Sequence, residues 1–275
     1  MNVCVVCIRA APRIVSTISI RGTHVSGVTS VDDELFALLI RDDNQVAVYS
    51  TSDYQPLRRL NVPDYMPTDN SDIASCVLYK CLYLSERDDR CVHRYELASG
   101  TVSKWPVGGR PYGLSVTASG NLLVACHSPN QLVELSAEGG EQVREIALES
   151  DIAGLWHGLQ LPGGQFVVCH GRNPDDLNRA CLVDDGGKVT RSYGGPKGSG
   201  DGHLNNPTHL AIDNDSQSVF VADGFNQRIA VLSSTLDFVR YVGEGLSRPC
   251  RLHLDQTTRC LYVGQFAGYV TVIQL

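Results

Sequence analysis

The feature that most constrains this chain is an internal repeat. NPTHLAID at 206–213 leads through a polar turn to VFVAD at 219–223, then through GFNQR at 224–228 to IAVL at 229–232, and on to LDFVRYV at 236–242. Four short apolar runs punctuated by turn residues read as four consecutive strands. The same order recurs five more times with weaker residue identity. Equivalent positions fall at Gly27, Ser75, Gly113, Gly158, His209 and Arg251, separated by 48, 38, 45, 51 and 42 residues. A four-stranded propeller blade takes about 40–50 residues. The spacing therefore predicts an all-β, six-bladed β-propeller that fills 1–275 as one unit, with blades at 22–62, 63–107, 108–150, 151–203, 204–245 and 246–275.

Strand composition agrees with that architecture. Runs such as VFVA at 219–222 and FVVC at 166–169 are almost continuously apolar, as strands covered on both faces must be. The last repeat ends at Leu275 after its third strand, and RIVSTISI at 13–20 supplies a spare one. We expect residues 13–20 to complete the last blade as its outer strand, so that closure leaves no open sheet edge.

The fifth repeat carries a family resemblance. GSGDGHLNNPTHLAID at 198–213 followed by VFVADGFNQRI at 219–229 closely resembles an NHL repeat: a Gly-rich lead-in, a proline-headed inner strand, an aspartate after the second strand, then Asn-x-Arg-Ile. The next repeat, with RPCRLHLD at 248–255, matches in part, and the first two match in spacing and apolar pattern alone. As a whole the chain resembles the C-terminal propeller of TRIM-NHL proteins. That resemblance implies a ubiquitin-ligase context and a propeller that binds proteins or, in some members, single-stranded RNA on one face. No Cys/His cluster here has RING or B-box spacing, so ligase activity is not expected of this chain.

Charge and cysteine usage narrow the partners. Thirty acidic against 23 basic residues give a net charge of −7, which disfavours unspecific attraction to nucleic acid or anionic membrane. No apolar run approaches the ~20 residues that span a bilayer, and the apolar stretch 3–8 is too short and wrongly flanked for a secretory signal. Most of the ten cysteines sit in or beside apolar strands, as small buried hydrophobes do. A reduced, cytoplasmic protein is expected, without membrane attachment. Cys4 and Cys7 are spaced C-x-x-C but lack a second pair at zinc-site spacing.

Candidate site residues lie in the loops that enter each inner strand and those between second and third strands. They are Arg21, Arg41, Arg87, Arg110, Tyr112, Trp156, His157, Arg172, His209, Phe225, Arg251 and Phe266. Those loops hold ten Lys/Arg against fourteen Asp/Glu, whereas RNA-binding surfaces carry a basic excess. Aromatic and arginine anchors fit a protein partner better. The sequence thus predicts a non-catalytic binding platform, with protein the preferred partner, RNA the alternative, and no cofactor. A second alternative is a metal-dependent lyase or hydrolase. His157, His209 and His24 all begin inner strands, and convergent histidines can hold zinc, as in the peptidylglycine-amidating lyase that NHL repeats resemble. A gluconolactonase-like set of carboxylates and asparagine is not identifiable. The glycine run at 194–202 lacks the Gly-Lys-[Ser/Thr] of a phosphate loop. Asp223 and Arg228 are expected to bridge the second and third strands of their blade, a structural role.

Overall fold

The computed structural model describes residues 11–20, 24–40, 46–171, 177–243 and 245–275. The expected site residues Arg21, Arg41 and Arg172, and the Cys4–Cys7 pair, lie outside the described residues.

Six antiparallel sheets of four strands each form a propeller ring. Numbering the blades in chain order, the inner strands are His24–Val31, Ile73–Cys76, Pro111–Val116, Leu155–Gln160, Pro207–Asp213 and Pro249–Asp255. Each blade runs outward strand by strand to its edge. The last blade is completed by Arg13–Ser19, which pairs antiparallel with Tyr269–Gln274, so the expected closing strand is present.

Apolar side chains segregate into six clusters, one at each interface between neighbouring blades. Phe36, Tyr83, Phe166, Phe220 and Tyr262 are among the largest fully buried residues. This explains the continuous apolar runs, since each sheet turns one face to the blade before it and the other to the blade after. Blades also pack closest at the centre. A Cβ added to Gly113 would stand 2.6 Å from the carbonyl oxygen of Trp156, so only glycine fits there.

Asp223 is fully buried and accepts hydrogen bonds from Asn205 N (2.7 Å), Asn226 Nδ2 (2.8 Å) and Arg228 Nε (2.9 Å). It ties its turn together, as expected. Glycines 194–202 lie at the end of one outer strand and in the loop to the next blade. The eight cysteines among the described residues are free thiols, seven of them buried. No helix among the described residues is long and apolar enough to cross a membrane.

Closure has a direct consequence. Ile18 and Ile20 of the closing segment are buried in the cluster shared by the last and first blades. Deleting residues 1–21 strips that cover and exposes the edge of Tyr269–Gln274, a template for intermolecular pairing. The truncated protein is expected to lose cooperative melting or to aggregate. A thermal melt superimposable on that of the full chain would refute closure as a source of stability.

Candidate functional site at the channel mouth

A local irregularity of the inner strands builds the site. In five blades the pairing of the inner with the second strand slips near its start, at Val25/Gly27, Pro111/Gly113, Leu155/His157, Pro207/Leu210 and Pro249/Arg251. The residues passed over are Ser26, Tyr112, Trp156, Thr208 with His209, and Cys250. Such bulges re-aim side chains. Here they turn alternate positions toward the central channel at the face where inner strands begin, the upper face.

At that face a depression of about 310 Å³ opens over the channel, lined by residues of several blades, with His24, Asp69, Cys250, Arg248, Phe225 and Phe266 around one side. His24 Nδ1 stands 3.4 Å from Asp69 Oδ1, and its Nε2 faces the Cys250 sulfur at 3.9 Å. Burial, and then the positive charge of Arg251, hold the His24 imidazole down at about 4 against the opposing pull of Asp69. It is therefore neutral at pH 7. Burial pushes the Cys250 thiol up to about 11, and its Sγ–H donates to the carbonyls of Val25 and Gly264, both at 3.4 Å.

Below the mouth, a buried polar knot crosses the channel and draws on all six blades. Asp72 Oδ2 accepts from His209 Nε2 (3.1 Å) and Leu114 N (2.9 Å), while Leu252 N donates to His209 Nδ1 (3.3 Å). His157 Nε2 donates to Leu114 O (3.1 Å), and its ring lies 3.7 Å from that of His209. The Arg251 guanidinium donates to the carbonyls of Ser26, Cys250 and Ser71 and holds its Nε 3.5 Å from Asp72 Oδ1. Burial alone would raise the Asp72 carboxyl. The electrostatic pull and hydrogen bond of His209, with the positive charge of Arg251, outweigh it and hold the group at about 2. Burial keeps His157 neutral, at about 3. Beneath the knot lies a second cavity of about 200 Å³ lined by His157, His209, His253, Thr29 and Ser75 among others.

Asp72, His157 and His209 bring three potential ligand atoms within 4.8 Å of one another, so a divalent metal is worth testing against the geometry. Both ring nitrogens of His209 are already hydrogen-bonded, and a guanidinium stands beside the carboxylate oxygen a cation would take. A metal here would have to break the His209 bonds and face Arg251. Asp72 Oδ1 and His157 Nδ1 are buried without a hydrogen-bond partner among the described residues, but with His209 already bonded at both nitrogens and Arg251 beside Asp72 Oδ1 the set fits a dication poorly.

The structure brings seven of the residues named from sequence to the channel or its mouth. Trp156, Phe225, Arg251 and Phe266 line the mouth, His157 and His209 the knot and lower cavity, and Tyr112 stacks on His127 at 4.5 Å beside Trp156. Tyr112, Trp156 and Arg251 are buried, so they shape the site from within instead of projecting as surface anchors. Arg110 is exposed and Arg87 pairs with exposed Asp88 at 2.9 Å, an arrangement worth little energetically. Asp69, Asp72 and Arg248 were not singled out from the sequence as site residues. Arg248, which begins the last repeat's RPCR, carried a signal, whereas Asp69 and Asp72 sit in a loop with no motif.

No family model matches the chain, and no curated protein matches it either, so the NHL likeness rests on the residues that carry it. Solved structures do match. Virginiamycin B lyase from Staphylococcus aureus shares 10% identity over 96% of this chain and 100% of its own, with a TM-score of 0.66. A catalytically inactive histidine-to-alanine variant of the same enzyme, with quinupristin, superposes at a TM-score of 0.68, again at 10% identity and covering 96% of this chain and 100% of its own. Kuenenia stuttgartiensis hydrazine synthase matches at 16% identity over 93% of this chain and 99% of its own, with a TM-score of 0.66. At these identities the likeness is one of fold. The expectation of a non-catalytic chain is nevertheless corrected, since these matched structures are of enzymes, lyases among them.

Proposed function

We propose that the protein is a lyase that binds a small molecule in the upper-face mouth and removes a proton from it through His24. The observation that supports this most directly is a neutral imidazole backed by the Asp69 carboxylate on the wall of an open depression. A base positioned by a carboxylate is the minimum equipment for proton abstraction, and the positive charge of Arg251 nearby favours the negative charge that builds as the proton leaves. The catalytic alternative, attack by Cys250, is disfavoured by magnitude. A thiol at about 11 is roughly 10⁻⁴ thiolate at pH 7, so Cys250 is a protonated neighbour of the base.

Quinupristin and a panel of lactones and esters, followed by mass spectrometry, test the reaction class. Opening a cyclic ester by elimination leaves the mass unchanged and creates a double bond, whereas hydrolysis adds water. We expect elimination. His24→Gln should lower kcat by about 10²–10⁴-fold, Asp69→Asn by less, and Cys250→Ala by less than about tenfold, each in protein that melts normally. If Cys250→Ala is as inactive as His24→Gln, a covalent hydrolase replaces the lyase.

A further inference from the structure

We infer that the substrate carries an anionic group, a carboxylate or a phosphate, on an apolar framework, and that Arg248 receives it; this rests on the mouth being the place where substrate binds.

The Arg248 guanidinium lies over two phenyl rings, 4.8 Å from the centroid of Phe225 and 4.1 Å from that of Phe266. Stacking uses the flat faces of the cation. Its N–H donors point out at the edges, where they suit a two-oxygen acceptor. Among the described residues no carboxylate or carbonyl takes those donors, and Arg248 is exposed. Both rings are exposed as well, Phe225 at 49% and Phe266 at 38%. Two large apolar side chains are thus left in solvent to hold one cation.

The arm is also fixed in place. Arg248 has φ +52°, the left-handed conformation that Asn206 also adopts before Pro207, the equivalent position one blade earlier. Its N–H donates to Leu246 O and its carbonyl accepts from Phe266 N, both at 3.1 Å. Ser247 N donates to Gln265 Oε1 at 2.6 Å. The backbone that carries the cation and the turn that carries Phe266 are therefore one unit.

The surrounding charge agrees. Asp69 is the carboxylate lining the mouth among the described residues, and its Oδ1 faces His24. Arg251, the other cation lining the mouth among the described residues, spends its donors on backbone carbonyls of the knot. Among the described residues Arg248 is left as the mouth's cation with donors to offer, and the exposed rings beside it offer apolar surface to the rest of the ligand.

The test uses 3-phenylpropionate, phenyl phosphate and the neutral 3-phenylpropionamide as probes, titrated by ligand-observed NMR against the full chain. At least one anion should bind roughly tenfold or more tightly than the amide, and which anion does so identifies carboxylate or phosphate as the source. Arg248→Gln should remove that preference, and Arg248→Lys should keep part of it, with melting curves unchanged because the side chain is exposed. Equal affinity for anions and amide, or anion affinity unaltered in folded Arg248→Gln, overturns the inference, as does a wild-type protein that binds neither anion. Phe266→Ala provides a second route: it should weaken anion and amide alike, and no weakening of either counts against the cradle. His24→Gln separates the two proposals: it should lower turnover by about 10²–10⁴-fold if the lyase assignment is right, while the preference for anion over amide, which rests on Arg248, should remain even though the His24 ring packs on Phe266.

Discussion

The protein is expected to unfold on mild acidification, with stability falling steeply between pH 6 and pH 4. Three histidines drive this, His157 and His24 buried and His253 half-buried at the lower cavity: His157 is held at about 3, and His24 and His253 at about 4, in each case mainly because withdrawal from water penalises the charged ring. In the unfolded chain each takes up a proton near 6.5. A folded-state pKa below the unfolded one means that the stabilisation is complete above pH 6.5 and drains away as pH falls toward the folded values. Each group contributes about 1.4 kcal/mol per pH unit in that window, so three acting together give a slope of about 4 kcal/mol per pH unit. A domain with ~5–15 kcal/mol in total cannot absorb that for long. Urea midpoints measured at pH 7.5, 6 and 5 read the slope directly. His253→Gln, which keeps an amide to meet Ser30 Oγ (2.8 Å from His253 Nε2), should make the profile shallower by roughly a third. A midpoint constant from pH 7.5 to 5 would show that these rings do not titrate out of a neutral core.

Loss of the Asp72 carboxylate should be the most damaging single substitution in the channel. Asp72 meets His209, Leu114 and Arg251 from blades five, three and six. Asp72→Ala leaves the Arg251 guanidinium buried without its counter-charge, a change that costs ~3–5 kcal/mol when one partner of a buried pair is removed. For a domain of this size that corresponds to a fall in Tm of roughly 10 °C. Asp72→Asn should cost less, because an amide oxygen still accepts from Leu114 N. Removing both charges in an Asp72→Leu, Arg251→Met double variant should recover much of the loss, since the penalty comes from the orphaned charge and less from the missing attraction. The carboxyl, held at about 2, also adds stabilisation that is complete above pH 4 and lost as pH falls through 2, below the histidine window. An Asp72→Ala variant within about 1 kcal/mol of wild type would mean that the knot does not hold the blades together.

The repeat alone determined the ring. Turn residues every few positions, apolar runs covered on both faces and equivalent positions 38 to 51 residues apart are local properties. Local properties are what a sequence states directly, because a strand's period and a turn's chemistry depend on near neighbours. The closing strand at Arg13–Ser19 was legible for the same reason, as one strand missing at one end and one spare at the other. The Asp223–Arg228 bridge, five residues apart, was legible too. The mouth was not. His24 and Cys250 are 226 positions apart and meet because the ring closes the last blade on the first, while Asp69 joins them from a loop with no repeat signature. Whether Trp156, Tyr112 and Cys250 point to solvent or into the ring is set by a one-residue slip at the start of their inner strands. A shift of one residue moves a side chain from one face of a strand to the other. No spacing rule in the sequence marks where that slip occurs, so Arg251 read as a surface anchor when the fold had already bound its donors to three backbone carbonyls. Blade number and closure belong to the sequence, whereas the identity of the groups that face one another across the channel belongs to the ring.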